Sequence, residues 1–404
     1  MNELRISADC HLLEPPDLFV SRLPAGLRER AARVQVDDDY MHFIIPGAGT
    51  ETLSLYRDTQ SHVVTHGDMS LEQRQKHLMA DGVWGELIHP NLGSFAFVPD
   101  GEMAFAQARV YNDYLIEFFG GHLGRHKPTA LIPLNDPDQA VAEIERVAGM
   151  GLEGLMFPAV SPIRYASPAL DRVWAAAQAN GMVACFHVGG GTHGQPADEK
   201  MARLMTRISG GEGYEAAAVH ANRLRAETQG SVVAQQNLAD LIGTGVLERY
   251  PDLHFIAVEF NAYWLAGFMA GMDKAYTLGI GQDVAAPYAH SGVYDPGRAP
   301  DDQPTMFLRF ALNDKWPYPL RPSDYVRRQV HLTFMDDPGA IALRHYTGVE
   351  AIVWGSDYPH HEATWPRSED ALEKQFAGVP DEDRKAMTGG TISKLFKFEI
   401  PAAV

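Results

Sequence analysis

Cysteine is scarce: Cys10 and Cys185 are the only two in 404 residues. Each sits in or beside an apolar stretch, and two cysteines in a chain this long do not make a disulfide framework. Positive charge is also in deficit, with 34 Lys and Arg against 52 Asp and Glu and a formal net charge of −18. That balance argues against nucleic acid or an anionic membrane surface as a partner. An anionic substrate stays open, because a bound metal or an arginine can reverse the sign of a pocket locally. No apolar run reaches the roughly 18 residues of a membrane span. The start, MNELRISADCHLLEP, lacks a basic segment leading into a long apolar core, so no signal peptide is expected. Internal repeats and low-complexity segments are missing too. With 45% hydrophobic and 21% charged residues, the expectation is a soluble, reduced, cytoplasmic globular protein.

What the chain does have is alternation. Eight short apolar runs occur, mostly followed by an amphipathic helical pattern. They are Leu4 to Ala8, Gly85 to Ile88, Thr129 to Leu134, Gly154 to Phe157, Met182 to Phe186, His254 to Val258, Val330 to Phe334 and Ala351 to Trp354. Asn135-Asp136-Pro137 and Ser167-Pro168 have the composition of helix starts. Such alternation predicts parallel strands with helical crossovers, and eight repeats suit a (β/α)8 TIM barrel, an α/β fold. Residues 1–404 then form one domain with long insertions near 12–65, 189–230 and 280–326. The last two are expected at the C-terminal face of the barrel.

In such a barrel the C-terminal strand ends converge on one site. Asp9 and His11 end the first run, His187 the fifth, Glu259 the sixth and Asp357 the eighth. Asp9 and His11, two apart, share one side of an extended chain. Singly, an Asp after a strand is most often a helix cap and a His most often a satisfied interior side chain. Two imidazoles and three carboxylates brought together from four strands instead suit one or two divalent ions, Zn²⁺, Mn²⁺ or Fe²⁺. His89 ends the second run and is a candidate for substrate binding. His193 and His220, in the second insertion, and Trp264, after the sixth run, are further candidates for it. His360 and His361 follow Asp357, and Glu362 is expected to cap the next helix.

Asp9-Cys10-His11-Leu12-Leu13-Glu14-Pro15, Phe186-His187 and Trp354-Gly355-Ser356-Asp357-Tyr358-Pro359-His360 resemble motifs of the amidohydrolase superfamily. The resemblance is to the branch that includes aminocarboxymuconate-semialdehyde decarboxylase, and it covers nearly the whole chain. It implies a metal-bearing barrel in which Asp9, His11, His187 and Asp357 hold the metal. Asp357 would also take a proton from a metal-bound water whose pKa has fallen to about 7. Two positions depart from the pattern. Asp9 stands where many members have histidine, and Glu259 stands where the decarboxylases place a histidine.

Glu259 makes the leading expectation a metal-dependent hydrolase cleaving an amide, ester or thioester of an organic acid, with Asp357, Glu259 and His360 catalytic. In that reading Glu259 is also a metal ligand. The alternative is metal-dependent, non-oxidative decarboxylation of an aromatic or unsaturated acid. A non-catalytic barrel would be expected to have broken ligand positions, and these are intact. A homodimer or higher homo-oligomer is the expected assembly.

Overall fold

The computed structural model describes residues 4–36, 40–46, 49–54, 70–189, 230–279, 316–360 and 362–400, together with Leu224 and Thr228. In chain order its strands are β1 (Ile6–Leu12), β2 (Arg33–Val36), β3 (Tyr40–Ile45), β4 (Gly49–Ser54), β5 (Gly85–Pro90), β6 (His126–Leu131), β7 (Gly154–Phe157), β8 (Val183–His187), β9 (Phe255–Val258), β10 (Val330–Phe334) and β11 (Ile352–Trp354). Eight of them form one parallel sheet in the order β1-β5-β6-β7-β8-β9-β10-β11. Helix follows each of the eight, with Leu71–Ala80 leading into β5 and Ser368–Gln375 coming after β11. The seam between β11 and β1 is closed by two backbone bonds just past the end of β11. Asp357 N donates to Asp9 O at 2.9 Å, and His11 N donates to Tyr358 O at 2.6 Å. The fold is the (β/α)8 barrel that the alternation predicts.

Strand positions follow the apolar runs closely, with one instructive exception. β6 starts at His126, three residues ahead of its run. His126 and Lys127 are polar yet buried. His126 Nδ1 meets Glu86 Oε1 at 2.7 Å, and Lys127 Nζ donates to Glu153 and to Lys397 O. Satisfied polar groups inside a strand are invisible to a hydrophobic pattern.

Helix starts behave as their composition suggests. Asp136 accepts from Asp138 N and Gln139 N, with Pro137 in the first turn of Pro137–Gly149. The chain leading into β9 is helical in two pieces, Ser231–Gly243 and Val246–Arg249. Gly245, at φ +72°, makes the break, a backbone conformation that glycine adopts without strain. The described end of the third insertion runs beside this turn, Tyr318 packing against Gly245.

The first insertion is not only loop. β2, β3 and β4 form a small antiparallel sheet, and its Phe43 stacks on Phe95 with ring centroids 4.6 Å apart. A small sheet of this kind is stabilised by packing its apolar face, and that partner lies about 50 residues away in sequence. The second insertion, and the third up to residue 315, lie outside the described residues apart from Leu224 and Thr228, so their place at the barrel mouth remains an expectation. Among the described residues no helix is long and apolar enough to cross a membrane.

Beside β1 lies a buried ion pair. Arg74, 1% exposed, donates through Nε and Nη2 to the two oxygens of Glu86, both at 2.7 Å, and through Nη1 to His11 O at 2.8 Å. Its guanidinium also lies over the Tyr358 ring, 5.1 Å from the centroid. One side chain thus ties β1, β5 and the turn after β11. Removing one partner of a buried pair strands the other charge and costs about 3–5 kcal/mol. Arg74→Ala is expected to lose stability on that scale in urea unfolding. A loss under about 1 kcal/mol would mean that His126 alone satisfies Glu86.

Candidate metal centre

Both ends of the seam carry ligand candidates. β1 and β5 pair Ser7 with Glu86 and Cys10 with Ile88, so β1 has one extra residue in this interval. The bulge lies at Ala8-Asp9, and a bulge re-aims the side chains next to it. Asp9 Oδ1 comes to lie 3.5 Å from His11 Nε2 and 3.8 Å from His187 Nε2. Across the seam, Gly355 packs so closely on Asp9 that a Cβ there would collide with the Asp9 side chain. Asp357 holds φ +59°, and its Oδ1 lies 3.4 Å from His11 Nε2. Glu259 Oε2, at the end of β9, is 3.2 Å from His187 Nε2. Among the described residues, Asp9, His11 and His187 form one group able to share an ion. His11, Asp357 and His360 form a second, and Glu259, Asp357 and Glu362 a third.

The ring nitrogens show what this cluster is suited to hold. His11 Nδ1 faces Pro90 O at 3.2 Å and His187 Nδ1 faces Val188 O at 2.7 Å. A carbonyl only accepts, so each Nδ1 carries a proton and each ring turns its Nε2 to the cluster, bare whenever the ring is neutral. Those two Nε2 atoms lie 3.2 Å apart, where two lone pairs repel unless something positive stands with them. Asp9 Oδ1 and both Asp357 oxygens are buried without an aligned hydrogen-bond donor, although His360 Nδ1 stands 3.0 Å from Asp357 Oδ1. Buried carboxylate oxygens and bare imidazole nitrogens facing one another fit a divalent ion, with the backbone carbonyls fixing the ring tautomers.

The electrostatics agree. Burial pushes the Asp9 carboxyl up, but His11 and His187 outweigh it and hold it well below the usual range. Burial opposes a charge on His187, yet Asp9 and Glu259 lift it to about 9, a proton then supplying the positive charge. His360 Nδ1 is 3.0 Å from Asp357 Oδ1, and against burial Asp357 lifts it to about 10. Burial, with the charges of Asp357 and Asp9, raises Glu259 to about 8 despite His187. Its side chain is one third exposed, so water weakens that push.

A family model for amidohydrolases matches residues 89–398. The chain belongs to the amidohydrolase family. Among curated proteins, none matches it. Solved structures similar to it include an amidohydrolase from Mycobacterium avium subsp. paratuberculosis, 17% identical, covering 98% of this chain and 99% of that one at a TM-score of 0.68. A 5-carboxyvanillate decarboxylase from Sphingomonas paucimobilis is 17% identical over 98% of this chain and 100% of its own, at a TM-score of 0.60. A dihydroxybenzoic acid decarboxylase from Polaromonas, with bound manganese and the inhibitor 2-nitroresorcinol, is 17% identical over 98% of this chain and 97% of its own, at 0.58. At such identities the likeness is one of fold.

The remaining candidates of this amidohydrolase take varied places. His360 stacks on His11, ring centroids 4.0 Å apart. His89 is fully buried under the cluster, Nε2 at 3.1 Å from Ala8 O and Nδ1 at 3.3 Å from Thr129 Oγ1. Trp264 is half-buried, and its Nε1 donates to Phe260 O and Asn261 O. His193, His220 and His361 lie outside the described residues. Glu362 does not cap the next helix, which begins only at Ser368. The chain first makes a turn that leaves Glu362 near Asp357 and Glu259.

Sequence reasoning missed the residues that hold the ligands. Thr333 Oγ1 accepts from Glu259 N at 2.7 Å and donates to Asp9 Oδ2 at 3.4 Å. Glu14, wholly buried, accepts from the backbone of Asn91, Leu92 and Gly93. It thereby fixes the chain after Pro90, whose carbonyl holds His11. Glu14 lies within a quoted motif, but nothing local shows that its partners are some 80 residues away.

Two outcomes are expected. His187→Ala removes a ligand, and bound metal by elemental analysis should fall at least about tenfold; full metal content would defeat the assignment. The second concerns Glu14, which burial pushes up to about 7 although backbone N–H groups resist. Between the ordinary glutamate pKa and about 7 the folded state then binds more protons than the unfolded one, so this group's contribution to stability falls as pH rises through that window. Urea unfolding should show the stability of native protein relative to Glu14→Gln declining from pH 4.5 to 7 and levelling above. A flat difference would mean that the backbone donors keep Glu14 ionised throughout.

Proposed function

We propose that this amidohydrolase is a metal-dependent, non-oxidative decarboxylase of a hydroxylated aromatic acid. The observation that carries the reading is the His360–Asp357 pair. His360 Nδ1 touches Asp357 Oδ1 at 3.0 Å, its ring lies flat on His11, and its side chain is about a quarter exposed. A proton donor therefore stands at the open side of the ligand cluster. The similar solved structures named for 5-carboxyvanillate and dihydroxybenzoic acid decarboxylases support the same class.

Asp9, His11, His187 and Asp357 would hold the ion, and manganese, zinc and iron all suit these donors. When bound, the ion supplies a Lewis acid for the substrate's carboxylate and a neighbouring oxygen. The reaction needs one proton and no oxidant. The ring–carboxylate bond breaks, CO₂ leaves, and the electron pair stays on the ring carbon, which takes a proton. His360 and Asp357 deliver that proton. Glu259, beside His187 Nε2 and partly exposed, faces the bound acid and repels a misplaced carboxylate.

Hydrolysis of an ester, amide or thioester is the second reading, favoured by Glu259 itself. A carboxylate where the resembled decarboxylases have histidine suits a base that takes a proton from water.

Manganese- or zinc-loaded protein offered hydroxybenzoic acids in D₂O should release CO₂ and place one deuterium on the vacated carbon. His360→Gln should lower turnover by about 10²–10⁴-fold at unchanged metal content. Hydrolysis of the corresponding esters or thioesters with no CO₂ from the acids would sink the proposal in favour of the second reading.

A further inference from the structure

Three non-glycine residues among those described hold positive φ: Glu259 at +62°, Asn261 at +54° and Asp357 at +59°. Two of them lie in the short turn that leaves β9. L-residues adopt this conformation rarely, and it persists where the surroundings over-determine it. Thr333 takes the amide of Glu259. The rest of the turn is held from the next strand's exit by a residue assigned no role so far.

Asp337 follows β10 and is 5% exposed. Its Oδ2 accepts from Ala262 N at 2.8 Å and from Tyr263 N at 2.7 Å. Its Oδ1 accepts from Ala340 N at 2.9 Å, capping the helix Pro338–Thr347. Gln375, from the last helix of the barrel, braces the same exit by donating to Met335 O at 2.9 Å. One carboxylate thus joins the turn after β9 to the helix after β10. Glu259 stands at one end of that turn, with its Oε2 at 3.2 Å from His187 Nε2.

We propose that Asp337 is a positioning residue that clamps the β9 turn so that Glu259 faces the metal cluster. Asp337 acts through Glu259 and does not itself touch the substrate. The inference rests on Glu259 working at the site. A merely structural Asp337 would serve only as the cap of its own helix.

Serine separates the two roles. It caps helices as well as aspartate does, but its single hydroxyl cannot also reach the amides of Ala262 and Tyr263. In Asp337→Ser, hydrogen exchange at those two amides should speed up at least tenfold. Amides of the helix Pro338–Thr347 should stay within twofold, and metal content should not change. Turnover of whichever acid the native protein decarboxylates should fall at least tenfold. In a Glu259→Gln background the same substitution should cost less than twofold, because residues acting through one another are not additive. Unchanged exchange at 262 and 263, or losses that multiply in the double variant, would overturn the inference and leave the role of Glu259 standing. Full turnover in Glu259→Gln would defeat that role first, and the positioning inference with it.

Discussion

The seam between β11 and β1 is the constraint on which the site depends. Seven strand neighbours pair along ladders, but the eighth junction is made by two backbone bonds, through Asp9, His11, Asp357 and Tyr358. Three of the residues that close the barrel, Asp9, His11 and Asp357, are also candidate metal ligands. Gly355 lets the two chains approach to van der Waals contact at Asp9, a distance that no side chain would permit. Closure of the fold and assembly of the cluster are therefore one event.

That arrangement concentrates negative charge in a closed space, and the interior is built to tolerate it. Asp9, Glu259 and Asp357 meet His11, His187 and His360, while Arg74 and Glu86 neutralise each other one layer away. Each buried ion has a partner or a place for one, as the large cost of burying an isolated charge requires. Asp9 Oδ1 and both Asp357 oxygens, in the middle of the cluster, are the buried carboxylate oxygens left without an aligned donor among the described residues. Carboxylate oxygens left facing ring nitrogens in this way suit a cation between them.

Backbone strain follows the same geography. Positive φ at Glu259, Asn261 and Asp357 is confined to the mouth of the barrel, and each such residue costs on the order of 1–3 kcal/mol. The offsetting bonds come from neighbouring strand exits, Thr333 and Asp337 for the β9 turn and Asp9 O for Asp357. Support for several candidate ligands in this barrel comes sideways, from the adjacent strand, while His187 is held by its own neighbour Val188.

That sideways logic decides what could be known from the chain alone. The eight apolar runs, the residues that end them and the Trp354–His360 motif were enough for the barrel and the family, and they named the side chains that the structure gathers as candidate ligands, because strand periodicity and strand-end chemistry are local properties. The choice between decarboxylation and hydrolysis was not legible there, since Glu259 in isolation pointed to water activation. The same limit hid the polar start of β6, the small sheet in the first insertion, and the roles of Thr333, Glu14, Arg74 and Asp337. Each of these works through a partner tens or hundreds of residues away, Arg74 against the Tyr358 ring and Asp337 against Ala262 and Tyr263. By itself the sequence determined which side chains face the barrel mouth; only the tertiary structure decided which neighbours hold them there, because hydrogen bonds and buried charges are satisfied across space and not along the chain.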